Sequence, residues 1–467
     1  MKFASIDDTR ELSSRIVPTS IRQRYPCYRT VHWRFGLIFL LCLALLPACN
    51  LPFTSRQLSG VSLAGHGEPV TPSPYHPNGS APSTADCLRR LKYPCYSPEQ
   101  IQEAYNITPL LRKGLDGRGQ TIVIVESFGS PTLQQDLTAF DIAFGLPAPP
   151  HLTIAAPIGA PKLIPSNSDQ QGWAMETTLD VEWAHAIAPG ASIAVLVSPV
   201  SETEGVQGFP EFLRLDEYAL SHHLGFIFSE SWGASEPTLE DVAGRALIQR
   251  YDMFYTGAEQ QGATFFASTG DTGAVNETAH GGLYSYRDVI WPASDPRVTA
   301  VGGTIVTLDP KTGAYQGEVA WNSDGGAGGG GVSVLYSEPE FQRDIAGRAQ
   351  LALAGQRGIP DVAWPAVGFL INFKGHWDIV GGTSAGAPPW AGLLAIADQM
   401  AGHPLGNINP ALYALHGAGF HDITHGNNNA HGVIGYPALP GWDLVTGWGT
   451  PDAAVLLPLL VKAAQAG

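Results

Sequence analysis

A serine surrounded by small residues is the first candidate for chemistry in this chain of 467 residues. Ser384 lies in the segment GGTSAGAPP, 381–389, after the short apolar run WDIV and before WAGLLAIADQM, an apolar stretch that predicts a helix. Small neighbours let a substrate carbonyl approach the hydroxyl, and a helix N-terminus offers free N–H groups and the positive end of the helix dipole. The segment also fits an ordinary Gly/Ser helix cap and the G-x-S-x-G elbow of α/β-hydrolases, so it does not by itself select a reaction.

Two carboxylates four residues apart are the second candidate. Glu176 and Asp180, in the stretch ETTLD, lie about 5–6 Å apart on one face of a predicted helix, and that face continues to Trp183 and Ile187. A carboxylate pair on a face that leads into the core indicates a shared proton, or a general base held by its neighbour. The alternative is a solvated surface pair. Glu182 points the other way, as an ordinary surface acid would.

An aspartate that follows a predicted strand is the third candidate. Asp271 stands in ASTGDTG, 267–273, directly after the apolar run TFFA. Sites in α/β proteins form at the carboxyl ends of the parallel strands, which is where this carboxyl group is expected. The alternative is a simple turn, because Asp and Gly are common turn residues.

The order of the elements predicts an α/β fold with a doubly wound, mostly parallel sheet and helices on both faces. Near-continuous apolar runs indicate parallel strands that are buried on both faces, and helical stretches alternate with them. The predicted strands are 121–125, 192–197, 225–228, 264–267 and 298–301, and the predicted helices are 133–144, 173–187 and 239–260. Residues 304–321 predict a hairpin appended to the sheet.

The three candidates together resemble the sequence motifs of the sedolisins, or serine-carboxyl peptidases. The motifs are Ser384 in GGTSA, Glu176 and Asp180 in E-x-x-L-D, and Asp271 in ASTGD. The resemblance spans residues 97–467, with further matches in APGA (188–191), PASDPRVTAVGGT (292–304), GGGGVS (328–333) and IPDVA (359–363). It implies a subtilisin-like fold and serine-type endopeptidase or tripeptidyl-peptidase activity at acidic pH.

The resemblance also implies a role for each of these residues. Ser384 is the nucleophile, Glu176 is the base that takes its proton, Asp180 orients Glu176, and a protonated Asp271 donates a hydrogen bond to the oxyanion. A glutamate base suits acid because its ordinary pKa is about 4.3, so it still accepts a proton where histidine, at about 6.5, is already protonated.

Other features gain a meaning only through the resemblance. Glu126 and Trp232 match the family's extension of the carboxylate network, and the segment that matches the glycine run 325–331 lies beside the substrate in sedolisins. Secreted sedolisins usually carry a large prodomain, whereas here only residues 50–96 separate Cys49 from the peptidase domain, too few for that module.

A calcium ion is the expected cofactor. The C-terminal stretch offers two carboxylates and backbone carbonyls, which are hard oxygen ligands suited to calcium. The family's calcium site matches the side chains of Asp422 and Asp443 and the carbonyls of Ile423, Leu439 and Gly441.

The N-terminus predicts export. Residues 1–49 form a leader in which arginines precede the apolar run 35–48, whose length suits a signal-peptide core rather than a membrane span. The run ends LPAC, which resembles a bacterial lipoprotein cleavage box with Cys49 as the lipidated residue; a plain signal peptide is the alternative. Residues 50–96 are a tether rich in Pro, Ser and Gly, and residues 97–467 form the peptidase domain. Cys87 and Cys95 are an even pair that an oxidising compartment can bridge.

The charge distribution limits the partners. The chain has 26 Lys and Arg against 42 Asp and Glu, a net charge of −16; seven basic and three acidic residues lie in 1–50, which leaves −20 for the rest. So acidic a body offers no cationic surface for phosphates. We therefore expect protein or peptide substrates, no nucleic acid, membrane contact only through a lipid anchor, and a monomer.

Two other functions stay open beside an exported acid peptidase. An esterase of the α/β-hydrolase type would use the G-x-S-x-G segment with a later Asp and His, and would lose activity on a histidine substitution but not on Glu176→Gln. A non-catalytic surface-binding protein could use the same scaffold, although the intact Ser384, Glu176, Asp180 and Asp271 favour an enzyme.

Overall fold

An eight-stranded sheet forms the centre of the chain among the residues that the computed structural model describes, which are 80–323, 325–345 and 352–466. The described strands are β1 Thr121–Ser127, β2 Leu152–Ala155, β3 Ser192–Ser198, β4 Ile227–Glu230, β5 Ala234–Ser235, β6 Thr264–Ser268, β7 Ile290–Trp291, β8 Val298–Leu308, β9 Tyr315–Ala320, β10 Asn322–Ser323, β11 Gly326–Ala327, β12 Gly331–Ser337, β13 Gln356–Ile359, β14 Val362–Pro365, β15 Phe369–Phe373, β16 His376–Val380, β17 Phe420–His421 and β18 Thr450–Pro451. The central sheet has the order β14-β8-β6-β4-β1-β3-β2, in which all neighbours are parallel, and β9 pairs antiparallel with β8.

Helices cover both faces of this sheet. The described helices are α1 Thr84–Arg90, α2 Pro98–Ala104, α3 Thr108–Leu111, α4 Leu133–Phe144, α5 Ser168–Ile187, α6 Phe209–Ser221, α7 Val242–Glu259, α8 Ala387–Ala401, α9 Asn409–Ala414 and α10 Ala453–Ala464. Alternate residues of β1 enter two separate cores: Ile122 and Ile124 pack with α5 and α8, whereas Val123 and Val125 pack with α6 and α7. The predicted α/β fold with a doubly wound, mostly parallel sheet is therefore confirmed.

Two helices begin where a capping side chain sets the start rather than where the apolar pattern predicts it. The predicted helix 133–144 has the same bounds in the structure, and the hairpin predicted over 304–321 is the β8–β9 pair. Helix α5 begins five residues before the predicted 173, because the Asn167 side chain accepts a hydrogen bond from the Gln170 N–H and caps it. Asp241 caps α7 in the same manner, so that helix begins at Val242 rather than at 239.

Described structure is present before the predicted domain boundary at residue 97. Helix α1 lies inside the segment assigned to the tether, Ser83 caps it, and a disulfide joins Cys87 to Cys95. Both cysteines are fully buried in the core shared with α5, so the end of the tether is part of the domain. The leader 1–49, with the apolar run 35–48 and Cys49, lies outside the described residues.

No helix in the described part of the chain is long and apolar enough to cross a membrane.

Candidate active site

Ser384 lies in a tight turn between β16 and α8. The turn is a 3-10 helix, Thr383–Ala385, and the Ser384 side chain is buried. Gly382 precedes it with φ 124°, a conformation that side chains disfavour. A Cβ at Gly382 would lie 2.5 Å from Oδ2 of Asp271. Glycine is thus required for the serine turn to lie against the Asp271 carboxyl group.

Glu176 and Asp180 lie within the protein, on helix α5. They are 7% and 0% exposed, which rules out the alternative of a solvated surface pair. The prediction that Glu182 is an ordinary surface acid is wrong: Glu182 is fully buried and accepts a hydrogen bond from the Asn372 N–H at 3.0 Å. The reason is that α5 packs against α8, β1, α4 and β15, so that it has little solvated face.

The pKa values of the three buried carboxyl groups, Glu176, Asp180 and Glu126, are all raised. Burial raises the pKa of Glu176 well above its usual value, as does the charge of Asp180, while a hydrogen bond with the Ser384 side chain opposes the rise. Burial raises the pKa of Asp180 to about 8; the side chains of Ser231 and Glu126 lie beside it and favour its ionised form. Burial and the charges of Asp180 and Glu176 likewise raise the pKa of Glu126. Burial and mutual repulsion therefore oppose the ionisation of all three carboxyl groups at once.

Glu126 stands near the end of β1, which explains how it reaches this cluster. Its side chain is fully buried and continues the row of Ile122 and Ile124 on the α5 face of the sheet. Glu126 thus lies with Asp180 and Glu176, and its role as an extension of the carboxylate network stays a prediction. Trp232 differs: its indole N–H donates to the backbone carbonyl of Val125 at 3.1 Å, and its ring packs against Phe209 and Phe212. Trp232 anchors the strand that carries Glu126 and makes no hydrogen bond to a carboxyl group through its indole nitrogen.

Asp271 follows β6 and faces the serine turn. Its Oδ1 accepts two hydrogen bonds of 2.8 Å, from the backbone N–H and the hydroxyl of Thr383. Its Oδ2 is buried and has no hydrogen-bond partner among the described residues. Burial raises the pKa of Asp271 to about 6, and the bonds from Thr383 oppose the rise. When Asp271 is protonated, the donors on Oδ1 leave Oδ2 to carry the proton.

The glycine run 325–331 supports the Asp271 loop. The Ala327 N–H donates to the Asp271 carbonyl at 2.9 Å and the Gly329 N–H donates to the Gly270 carbonyl at 2.8 Å. A Cβ at Gly329 would lie 1.7 Å from the Thr269 carbonyl oxygen, so only glycine permits this approach. In this structure these glycines bring one part of the protein's own backbone against another, in addition to any approach of a substrate.

The sequence analysis did not predict two hydroxyl-bearing residues of the site, Thr383 and Ser231. Thr383 holds Asp271, and Ser231, directly after β4, lies beside Asp180 and donates to the Ser384 carbonyl at 3.4 Å. Thr383 is next to the serine in GGTSA, so its position was visible there, but its partner was not. Nothing in the sequence distinguishes Ser231 from a routine strand-end serine.

His185, the buried histidine on α5, contacts residues outside the serine site. Nε2 of His185 is 2.7 Å from the Pro147 carbonyl oxygen and 3.3 Å from Oδ1 of Asp141 on α4. The titratable side chain that lies beside the Ser384 hydroxyl is Glu176.

The five predicted calcium ligands lie in two segments, 422–423 and 439–443, which a hydrogen bond joins. The Leu439 N–H donates to Oδ2 of Asp443 at 2.7 Å, and the Gly441 N–H donates to Oδ2 of Asp422 at 2.9 Å. Burial raises the pKa of Asp443 to about 7. Among the described residues, no hydrogen bond uses the carbonyl oxygens of Ile423, Leu439 or Gly441. Two carboxylates and three unused carbonyls form an oxygen-only donor set that suits calcium.

The main site combines three chemical groups. The Ser384 hydroxyl lies beside the buried carboxyl group of Glu176, and two further carboxyl groups lie near that one. The carboxyl group of Asp271 offers an unpartnered oxygen beside the serine turn. Such a set can remove a proton from the alcohol and can place a hydrogen-bond donor at a developing negative charge.

Comparison with known proteins identifies relatives for the chain. No family model matches it. Kumamolisin from Bacillus sp. (strain MN-32) is 36% identical over 378 residues, which are 79% of this chain and 64% of that protein. Sedolisin from Pseudomonas sp. (strain 101) is 32% identical over 352 residues, 72% of this chain and 57% of that protein. The chain thus spans less than two thirds of the length of these curated relatives.

A solved structure matches this chain over nearly the whole length of that structure. Pseudomonas sedolisin, a serine-carboxyl proteinase complexed with two molecules of pseudo-iodotyrostatin, superposes with a TM-score of 0.66 at 30% identity. The match covers 78% of this chain and 96% of that structure. With this identity over nearly the whole of the solved domain, the chain belongs to the sedolisin family.

Proposed function

We propose that this protein is a serine-type peptidase that hydrolyses peptide bonds of proteins in acid. The observation that carries the proposal is that the Ser384 side chain lies beside Glu176, within a set of buried carboxyl groups whose pKa values are raised. The sedolisin relatives supply the reaction class, since one of them is a serine-carboxyl proteinase by name.

The reaction begins at Ser384. Its Oγ attacks the carbonyl carbon of the scissile bond while its proton passes to the ionised Glu176. The tetrahedral intermediate collapses when Glu176 returns this proton to the leaving amine, and an acyl-serine remains. Water then attacks the acyl group with Glu176 as base, and the second product leaves as a carboxylic acid.

Asp180 and Glu126 allow Glu176 to be ionised, which is the state in which it can accept a proton. Glu176 must be ionised to accept a proton, and the charge of Asp180 opposes this. Protons shared between Asp180 and Glu126 remove that repulsion, so the negative charge can reside on Glu176 beside the serine hydroxyl. The acid limit of activity is therefore set by the protonation of Glu176.

Asp271 supplies the oxyanion donor and the upper pH limit. Below pH 6 the group is neutral, and its proton lies on Oδ2, which is free to donate to the oxyanion. Above pH 6 it ionises, repels the oxyanion and also raises the pKa of Glu176 further. Each of these two charges disfavours the other, and the proposed mechanism uses the state in which Glu176 is ionised and Asp271 is protonated.

We further propose a structural calcium ion held by Asp422, Asp443 and the carbonyls of Ile423, Leu439 and Gly441. The ion supplies positive charge to two carboxylates that have no described basic partner, and it ties residues 422–423 to the turn 439–443. It takes no part in the bond cleavage.

Export to the outer face of the membrane completes the proposal. The apolar run 35–48 supplies the signal, and Cys49 accepts the lipid that anchors the chain.

The catalytic roles are tested first by two matched glutamate substitutions on α5. We expect Ser384→Ala and Glu176→Gln to lower cleavage of an unfolded protein substrate by on the order of 10⁴-fold. Glu182→Gln is the control: burial raises the pKa of Glu182, so the neutral amide resembles the group it replaces, and activity is retained. Full activity in Glu176→Gln with loss in a histidine variant would favour the esterase mechanism. Absence of turnover in the unsubstituted protein would favour a binding protein.

The role of Asp271 predicts a change in pH profile. In Asp271→Asn the Thr383 donors hold the amide oxygen, so the amide N–H occupies the Oδ2 position at every pH. We expect kcat of the unsubstituted enzyme to fall as pH rises through about 6, and this fall to be absent in Asp271→Asn. Asp271→Ala, without a donor, is expected to lose about 10²–10³-fold at its best pH. An unchanged upper limb in Asp271→Asn would refute the assignment.

The calcium proposal predicts a stability change that is independent of catalysis. Chelation is expected to lower the unfolding temperature, and calcium at 100 times its Kd to restore about 2.7 kcal/mol. Asp422→Asn is expected to melt at the chelated temperature with or without calcium. The measurement is calorimetry in the inactive Ser384→Ala background, which prevents self-digestion. An equal response to calcium in the Asp422→Asn variant would exclude this site.

Lipid anchoring predicts the location of the exported protein. We expect the chain in the membrane fraction of a bacterial host and Cys49→Ser in the soluble exported fraction, with the same peptidase activity. If both forms are soluble outside the membrane, the leader is a plain signal peptide.

A further inference from the structure

Ser231 stands at the junction of the sheet and the carboxyl cluster. It follows β4 directly, and the register pairs Ile124 of β1 with Ser229, which places Ser229 and Ser231 on the face that carries Glu126. Glu230, between them, points to the opposite face, where the Tyr255 hydroxyl donates to it. Ser231 is 2% exposed, so substrate and solvent do not reach its hydroxyl.

The hydroxyl of Ser231 has two possible acceptors. One is the backbone carbonyl of Ser384, at 3.4 Å, which is a long hydrogen bond. The other is the carboxyl group of Asp180, whose oxygens are buried and have no close hydrogen bond among the described residues. A serine hydroxyl has one proton and rotates freely to suit its surroundings, so it can serve only one acceptor at a time.

The charges around Asp180 are all acidic. Glu126 faces it from β1 and Glu176 from its own helix, and Asp271 faces Glu176 from the loop after β6. Glu126 can offer Asp180 a proton only by giving up its own share of the cluster's protons. Ser231 is the neutral donor beside Asp180, and it can stabilise the negative charge of the cluster without titrating.

We propose that Ser231 is a positioning residue for the catalytic carboxyl groups: its hydroxyl turns to Asp180 when the cluster is ionised and to the Ser384 carbonyl when the cluster is protonated. This inference rests on the proposed peptidase function and deepens it. Ser231 acts through Asp180 and does not touch the substrate. Its hydrogen bond stabilises the ionised cluster, so it extends activity towards lower pH and fixes the orientation in which Asp180 holds Glu176.

The consequence of removing the hydroxyl has a definite sign. Loss of a donor to an anionic cluster raises the pKa at which the cluster releases its first proton. The limb of the kcat profile on the acid side therefore moves to higher pH in Ser231→Ala. The limb on the neutral side, which Asp271 sets, stays in place. Because a hydrogen bond to a charged group is lost, kcat at its best pH falls roughly tenfold, and KM is unchanged.

Ser229→Ala is the matched control. Ser229 is 1% exposed, lies on the same strand and the same face, and its hydroxyl has no hydrogen-bond partner among the described residues. Both substitutions remove one buried oxygen from neighbouring positions of the same backbone. A purely structural effect of losing a buried hydroxyl would appear in both variants, whereas an effect through Asp180 appears only in Ser231→Ala.

The experiment compares kcat and KM from pH 2 to 8 for the full chain, Ser231→Ala, Ser229→Ala and Ser231→Thr on a fluorescently labelled unfolded protein. Thermal melting of each variant at one acid pH is recorded in parallel. The expected result is a lower kcat and a raised acid limb in Ser231→Ala alone, with the limb restored in Ser231→Thr, which keeps the hydroxyl.

Three results would overturn the inference. The first is a Ser231→Ala profile that coincides with that of Ser229→Ala. The second is a uniform loss at all pH values, which would indicate packing rather than a charge effect. The third is an inactive unsubstituted chain, which would overturn the proposed function itself. An active unsubstituted chain with an unmoved acid limb in Ser231→Ala would leave the peptidase proposal standing and remove only the role of Ser231.

Discussion

Burial of carboxyl groups without a positive partner is the constraint that governs this site. Glu176, Asp180 and Glu126 are almost completely removed from water, and none of the charged groups that shift their pKa values is basic. An isolated ionised carboxylate is costly in such surroundings, so the groups retain protons and share them. The proposed activity in acid depends on these protons, because the arrangement of carboxyl groups persists only while they are present.

The scaffold serves this constraint in two ways. Helix α5 has little solvated face, so a carboxyl group on any side of it is desolvated, as Glu182 shows on the side away from the serine. Glycines at 382 and 329 remove the side chains that would otherwise separate the serine turn, the Asp271 loop and the glycine run. Close backbone approach then lets Thr383 hold one oxygen of Asp271 and leave the other unpartnered.

Sequence patterns predicted what depends on periodicity and on residue type. The alternation of apolar runs and helical stretches gave the parallel sheet, the spacing of Glu176 and Asp180 placed them on one face of α5, and Asp271 was placed at a strand end. What depends on contacts between distant segments was not visible. The bond from Thr383 to Asp271 joins residues 112 positions apart, and that from Ser231 to the Ser384 carbonyl joins residues 153 apart. The helix inside the predicted tether was missed because Pro- and Ser-rich composition masks a short capped helix stabilised by burial of Cys87.

Asp361, a buried carboxyl group outside the site, shows that this fold can place a cation beside a buried carboxyl group. Asp361 is fully buried, and Arg357 holds it with two hydrogen bonds, at 2.8 and 2.6 Å, while the Tyr413 hydroxyl adds a third at 2.8 Å. The guanidinium group thus supplies this buried carboxyl group with a positive partner and charge-assisted hydrogen bonds. The same solution beside Asp180 or Glu176 would lower their pKa values and end the proton sharing that the proposed mechanism needs. The hydroxyl groups of Ser384 and Ser231 lie there instead. A hydroxyl group can rotate when a neighbouring carboxyl group gains or loses a proton, and it does not fix that group in its ionised form.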